Sequence, residues 1–255
     1  MAASVTTQVG IGDSASASTT LETASFSPTG SNKVLYVLIG SGASSPSDPS
    51  AVKYASTGGT GGESLTKIDS TRTIATFVKQ SIYKLVGPSA SSGTIHCTWS
   101  GSDDERWIIA VAVQDAAGTE GVISYASGSS SAPSVAPAST SGELVIDFLS
   151  ILNGGGSGYT LTVGAGQTSI KELEGGSPAG GSANNISGYE SAGSSRETAA
   201  GTTTTMSWTV SSSSDWGIHA FQVNPAGAGP TTSLKRNSQL NGLGASGPFF
   251  HNPLG

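Results

Sequence analysis

The chain has 255 residues, enough to bury a sizeable core, with a formal net charge of -6, 36 glycines and only 11% charged side chains. An acidic balance gives no sequence-independent hold on a phosphate backbone, so nucleic acid is not expected as a direct partner. One cysteine, Cys97, excludes an intrachain disulfide framework and a thiolate zinc cluster, and no apolar run approaches the length of a membrane span.

Charge this sparse suits a hydroxyl-rich surface, or one partly covered by neighbours in an assembly, better than a solution enzyme with a steering field. The start, MAASVTTQVG, shows no basic region followed by an apolar one, so no ordinary secretory signal is expected. Without one, Asn185-Ile186-Ser187 reads as a chance match to the glycosylation acceptor pattern.

Residues 1–20 form a polar N-terminal extended segment. The alternations Val5 to Ile11 and Leu21 to Phe26 suit edge strands or chain laid over another surface. Val34 to Ile39 is the first strong strand, apolar on both faces and so expected to be central. A Gly/Ser/Pro loop follows, interrupted by Val52-Lys53-Tyr54, and the extended pattern resumes at Leu65 to Ile68. Ile74 to Val86 continues it, with a bend expected near Gln80 and Ser81.

Thr94 to Val113 organises the reading. Ile95, Cys97 and Trp99 alternate with Thr94, His96 and Thr98, the pattern of a strand with one buried face. RWIIAVAV is apolar on both faces, so it reads as an interior strand of a β-sandwich, paired to its predecessor through the loop containing Gly101, Asp103 and Asp104. Val122 to Tyr125 is a short candidate, and ASGSSSAPSVAPASTSG reads as a surface loop. In Glu143 to Leu149, Leu144, Ile146 and Phe148 point inward, with Asp147 facing out or at a sheet edge. Tyr159 to Val163, Ser169 to Leu173, Met206 to Val210 and Trp216 to Val223 complete the strands, and Gly175 to Gly188 reads as a second polar loop. No stretch has a helical period. The fold class is therefore all-β, a single antiparallel β-sandwich domain over residues 21–225 with long Gly/Ser loops.

Residues 226–255 change character and read as an extended C-terminal arm. Burying Phe249 and Phe250 contributes roughly 3 to 6 kcal/mol. Ordering the rest of the arm, at roughly 1 to 2 kcal/mol per residue, costs far more, so the aromatic pair cannot hold the arm down unaided.

Few residues carry chemistry. His96 and Cys97 fall on opposite faces of a strand and cannot share a metal, and Cys97 reads as a small buried hydrophobe. His219, between Trp216 and Phe221, reads as a neutral core histidine with one satisfied ring nitrogen. Asp103, Asp104 and Glu105 lack the spacing of a calcium loop and read as a solvated tip. GxSxG is absent, and Gly59 to Gly62 is not followed by the Lys and Ser/Thr of a phosphate loop. Trp99, Trp107 and Trp208 are in phase with core positions, whereas Trp216 starts its strand after a serine loop and is the tryptophan expected to be partly exposed, a candidate glycan contact. No catalytic residue, metal or cofactor is expected, and the chain reads as a non-enzyme.

The ordered set NKVLYVLIG, VKYASTGG, LTKI, IYKLVGPSASSGTIHCTWSG, WIIAVAV, GELVIDF, MSWTV and DWGIHAFQVNP resembles a family of jelly-roll-like β-sandwich domains in bacterial and bacteriophage structural proteins. The tail NSQLNGLGASGPFFHNPLG resembles the ends of small phage virion proteins. The resemblance implies a virion protein assembled in the host cytoplasm, a capsid decoration or minor capsid component. Its partners would be the major capsid protein or other virion subunits, and it admits a homo-oligomer. The arm would then bind through Lys235, Arg236, Leu240, Leu243, Phe249, Phe250 and Leu254. The alternative is a tail or head fibre module that binds host glycan through Trp216.

Overall fold

The computed structural model describes residues 2–13, 19–43, 45–55, 58, 61–101, 105–152, 159–174, 186 and 190–227. Among them are nineteen β-strands and no helix. The first half contains β1 (Ser4–Asp13), β2 (Thr20–Glu22), β3 (Val34–Gly42), β4 (Ala51–Tyr54), β5 (Glu63–Ser64), β6 (Thr66–Lys67), β7 (Arg72–Ile74), β8 (Val78–Val86), β9 (Ile95–Thr98) and β10 (Glu105–Gln114). The second half contains β11 (Ala116–Glu120), β12 (Ser124–Ser130), β13 (Ser134–Val135), β14 (Leu144–Leu152), β15 (Leu161–Val163), β16 (Thr168–Leu173), β17 (Glu190–Thr198), β18 (Met206–Val210) and β19 (Ser214–Pro225).

These strands form four sheets, antiparallel throughout. One runs β1-β10-β3-β8, with β6 and β7 both pairing the far side of β8. Its counterpart runs β19-β14-β17-β16, with β11 and β12 both on the outer side of β19. Two small sheets, β2-β9-β4-β5 and β13-β18-β15, lie outside them.

Side-chain alternation explains the layering. Val34, Tyr36 and Leu38 of β3 meet Ile146 and Phe148 of β14 and Phe221 of β19 in a core between the two large sheets. Leu35, Val37 and Ile39, on the other face of β3, form a second core with Val52, Ile95, Cys97 and Trp99 from the small sheet above. Val145, Leu149 and Ile151, on the other face of β14, form a third with Met206, Trp208 and Val210. Burying each such side chain stabilises by roughly 1.5 to 3 kcal/mol relative to exposure, so a strand apolar on both faces draws a sheet onto each.

The two halves repeat one another. A constant offset of 110 residues carries Val34 to Leu144 and Val113 to Val223, and turns the β3/β10 register into the β14/β19 register along its whole length, down to Gly42↔Glu105 becoming Leu152↔Asp215. The outer sheets repeat as well: β9 lies between β2 and β4 as β18 lies between β13 and β15. The protein is thus two copies of one topology, with their large sheets packed face to face.

The all-β expectation is met, and several details differ. Strands β9 and β10 do not pair with each other; β9 crosses to the outer sheet, because Ile95, Cys97 and Trp99 have to cover the second face of β3 and β10. The bend expected at Gln80 and Ser81 lies earlier, in a turn where Ala75 and Thr76 adopt φ of 46° and 69°. The expected loop at 126–142 contains most of β12 and all of β13, held by backbone pairing to β19 and β18 rather than by apolar side chains. Strand β17, ESAGSSRET, went unpredicted; it is central, and its small residues fit beneath the Trp208 ring, which a Cβ at Gly193 would meet at 2.8 Å. The N-terminal segment supplies β1, an edge strand of the first large sheet.

Gly40 lies directly opposite Trp107, and a Cβ there would sit 2.0 Å from the indole. Replacing Gly40→Ala forces the buried ring off its rotamer and should destabilise by at least roughly 1 to 3 kcal/mol. Gly201→Ala, where a Cβ meets nothing within 4 Å, should stay within about 0.5 kcal/mol. Urea melts of the two variants beside the parent check this, and equal midpoints would contradict it.

Candidate functional site

The arm residues Lys235, Arg236, Leu240, Leu243, Phe249, Phe250 and Leu254 lie outside the described residues, as do Asp103 and Asp104. Glu105 is buried as the first residue of β10, not part of a solvated tip. Cys97 is a free thiol, fully buried, and burial pushes its pKa up, so it behaves as a hydrophobe. His96 is buried too, with Nδ1 3.2 Å from Glu22 Oε2 on the paired strand β2. The face of β9 expected to be open is therefore closed by a polar pair.

Trp216 is the most exposed of the four tryptophans but retains only 8% of its surface. Its ring packs in the third core, over Gly128, and its Nε1 donates to Ser130 Oγ at 3.0 Å. With its ring packed in that core, Trp216 does not present the expected aromatic platform.

Two buried polar groups in the second half occupy positions that are aliphatic in the first. By the 110-residue offset, Asp147 stands where Val37 does and His219 where Ile109 does. Asp147, fully buried mid-strand in β14, is the reverse of the outward or edge residue expected. Its carboxylate accepts from the Ser195 backbone N–H (2.6 Å), Ser195 Oγ (2.9 Å) and Trp208 Nε1 (2.9 Å). Gln167 extends the network, donating to Ser195 Oγ at 2.6 Å and accepting from the Ser207 N–H at 2.8 Å. Burial raises the Asp147 pKa to about 7, against the lowering effect of those hydrogen bonds.

His219 lies at the seam where the halves meet. Its Nε2 is 3.2 Å from Asp69 Oδ2 without hydrogen-bond alignment, and Nδ1 has no partner. Arg72 clamps the same carboxylate through Nε at 3.2 Å and Nη2 at 2.9 Å, and its guanidinium rests 4.8 Å above the Tyr125 ring. Tyr125 in turn packs on the imidazole at 4.8 Å between centroids. Burial lowers the His219 pKa to about 4, with Asp69 opposing and Arg72 reinforcing the shift. Only the expected core histidine was legible in sequence; Asp69 and Arg72 come from the other half and Tyr125 from the short strand candidate Val122 to Tyr125, and no spacing links them.

Adjoining this cluster is a cleft of about 210 Å³ between the β7–β8 turn and the strands β12 and β19, lined by residues 73–75, Ser127, Gly128, Asp215 and Trp216. No group of three or more His, Cys, Asp or Glu side chains among the described residues is arranged to hold a metal. Compared with protein-family models, curated proteins and solved structures, the chain matches none.

The two shifted groups act oppositely on stability. Between pH 4.5 and 6.5 the folded state keeps a proton on Asp147 that the unfolded state has lost, so this residue's contribution falls as pH rises. Over the same range the unfolded state binds a proton that folded His219 does not, so the His219 contribution rises with pH. Each slope is at most about 1.4 kcal/mol per pH unit, and in the parent protein they offset. Asp147→Asn should give stability that climbs from pH 4.5 to 6.5, and His219→Gln stability that declines. Urea titrations at three pH values read the slopes, and identical pH profiles in both variants would refute the assignment.

Proposed function

We propose that the protein is a structural component of a bacteriophage virion, a capsid decoration or minor capsid protein. In this reading the layered β body is a jelly-roll-like sandwich, and the segment following it binds the shell. The observation that carries the reading is the polarity of the body. Ala226 closes β19 against Asp115, donating its N–H to the Asp115 carbonyl, so the chain leaves at the end where β3 and β14 begin. The cleft lies at the other end of β19, about 33 Å away at roughly 3.3 Å per residue. A body held at one end and presenting a recessed site at the other suits a protein mounted on a surface.

The resemblance in the strand order and in the tail supports the same reading, as does a surface with few charges. Lys235, Arg236, Leu240, Leu243, Phe249, Phe250 and Leu254 are the proposed contacts with the major capsid protein or a neighbouring subunit. The cleft favours a second reading, a host-attachment module on a head or tail fibre, with Trp216 among the residues that line it.

Removing residues 228–255 should leave the melting temperature of the body unchanged and eliminate the protein from purified particles. Gel analysis of particles assembled with the truncated chain reads this directly. Incorporation at the parental level would remove the arm from the mechanism.

A further inference from the structure

The two halves place a cation at the same point of their inner faces and answer it differently. The 110-residue offset carries Tyr36 to Ile146, and the register partners of these two residues are Lys84 and Arg196. Tyr36 and Ile146 belong to the core between the large sheets, so both cations leave their strands on that face. Lys84 is held there by β11 of the other half. Its Nζ donates to Glu120 Oε1 at 2.9 Å, to Glu120 Oε2 at 2.7 Å and to the Gly118 carbonyl at 3.0 Å.

Arg196 has no such answer. The same offset carries Val113 to Val223, whose partners are Val5 and Glu120, so Val5 stands in β1 where Glu120 stands in β11. The guanidinium of Arg196, half-buried, has no hydrogen bond or ion pair among the described residues. A recess of about 430 Å³ opens at this place, with Arg196, Thr168, Thr198, Leu144 and Ser4 in its lining. Thr168 is the register partner of Arg196, and Thr198 follows it on the same face of β17, so two hydroxyls share the side of the guanidinium. Glu197 also lines the recess, but it alternates with Arg196 onto the face of Ser195, and its Oε1 would lie 3.3 Å from a Cβ at Gly166.

We propose that this recess binds a carboxylate group, held by Arg196 in the place that the Glu120 side chain fills in the other half. A guanidinium matches a carboxylate with two parallel N–H···O bonds, and the hydroxyls of Thr168 and Thr198 are further donors. A cation would face Arg196, and the second charge of a phosphate would face Glu197. Residues 228–255 contain no Asp or Glu, so their side chains do not supply the group. Leu144 pairs with Val223, which puts the recess at the end from which the chain leaves the body. The source of the carboxylate rests on the virion reading above: that end faces the shell, and the group is an acidic side chain of a neighbouring subunit.

The test follows the Arg196 Nε–H resonance of the full-length protein, identified by its loss in Arg196→Gln, during titration with acetate and with chloride at matched ionic strength. Acetate should give a saturable shift, chloride none, and the acetate shift should persist in Glu197→Gln. In Val5→Glu, which restores the counterpart of Glu120, acetate should bind at least about tenfold more weakly. Absence of a saturable shift, or an equal shift with chloride, would overturn the site, as would undiminished acetate binding in a folded Val5→Glu protein. Should that variant not fold, the titration of the parent decides alone. Purified particles then identify the source: exclusion of Arg196→Gln assigns the carboxylate to a neighbouring subunit, whereas parental incorporation refutes the neighbour in favour of a free carboxylate. The titration needs no particle, so the site and the virion reading fail separately.

Discussion

A sheet that is apolar on both faces has to be covered twice, and this protein has two of them. Strands β3 and β10 in one half and β14 and β19 in the other are buried along nearly their whole length. Packing the two large sheets against each other satisfies one face of each. The remaining faces require β2, β4 and β9 on one side and β13, β15 and β18 on the other, although those strands are only two to five residues long. Short strands of that kind are marginal alone; here their side chains are held by the large sheet beneath. The long connections of the sequence follow from the same constraint, since the chain must repeatedly leave a large sheet, lay a short strand over it and return.

The two halves meet this constraint with one topology and different chemistry. Aligned by their pairing register, β3 and β14 share no identical residue, and β10 and β19 share only Ile108/Ile218, Ala110/Ala220 and Val113/Val223. The first half keeps its cores aliphatic at positions where the second inserts Asp147 and His219. Asp147 is compensated locally: three donors from β17 and β18 converge on it, and this joins the large sheet to the outer one through Gln167 and Ser195. His219 is compensated across the seam, by Asp69 and Arg72 of the other half, and less completely.

Strands whose burial follows from side-chain alternation could be read from sequence. VLYVLI, RWIIAVAV, LVIDFL and WGIHAFQV each show the period of an extended chain, and each is central. Strands β12 and β17 could not, because SYASGSS and ESAGSSRET hold their places by backbone hydrogen bonds and by being small enough to lie under tryptophan rings. Partners were equally hidden. The pattern in β9 shows that Cys97 and Trp99 face a core, but not that this core belongs to another sheet than the one β10 pairs in. The candidate site was harder still: Asp69, Arg72, Gln80, Tyr125 and His219 are brought together by packing one half on the other, and a single sequence carries no mark of that contact.

Polar side chains go unpaired at the seam and also inside the first half, where Tyr54 Oη and Trp99 Nε1 lack partners. Within a half, a polar group on one strand can be answered by a neighbour one register step away, as Ser195 answers Asp147 across the β14/β17 pair. Between halves there is no backbone register, only side-chain packing, and a bulky residue on one sheet must be matched by space on the other. Gly217 provides that space opposite Gln80 and Ile74, and the turn at Ala75 and Thr76 bends the edge of the first sheet over it. The result is an opening beside the first residues of β19, with Ser127, Asp215 and Trp216 in its lining, while the opposite end of the same strand leads into the C-terminal segment. The face-to-face packing that hides two apolar sheets from water therefore leaves recesses at their edges, this one at the end of β19 opposite Pro225.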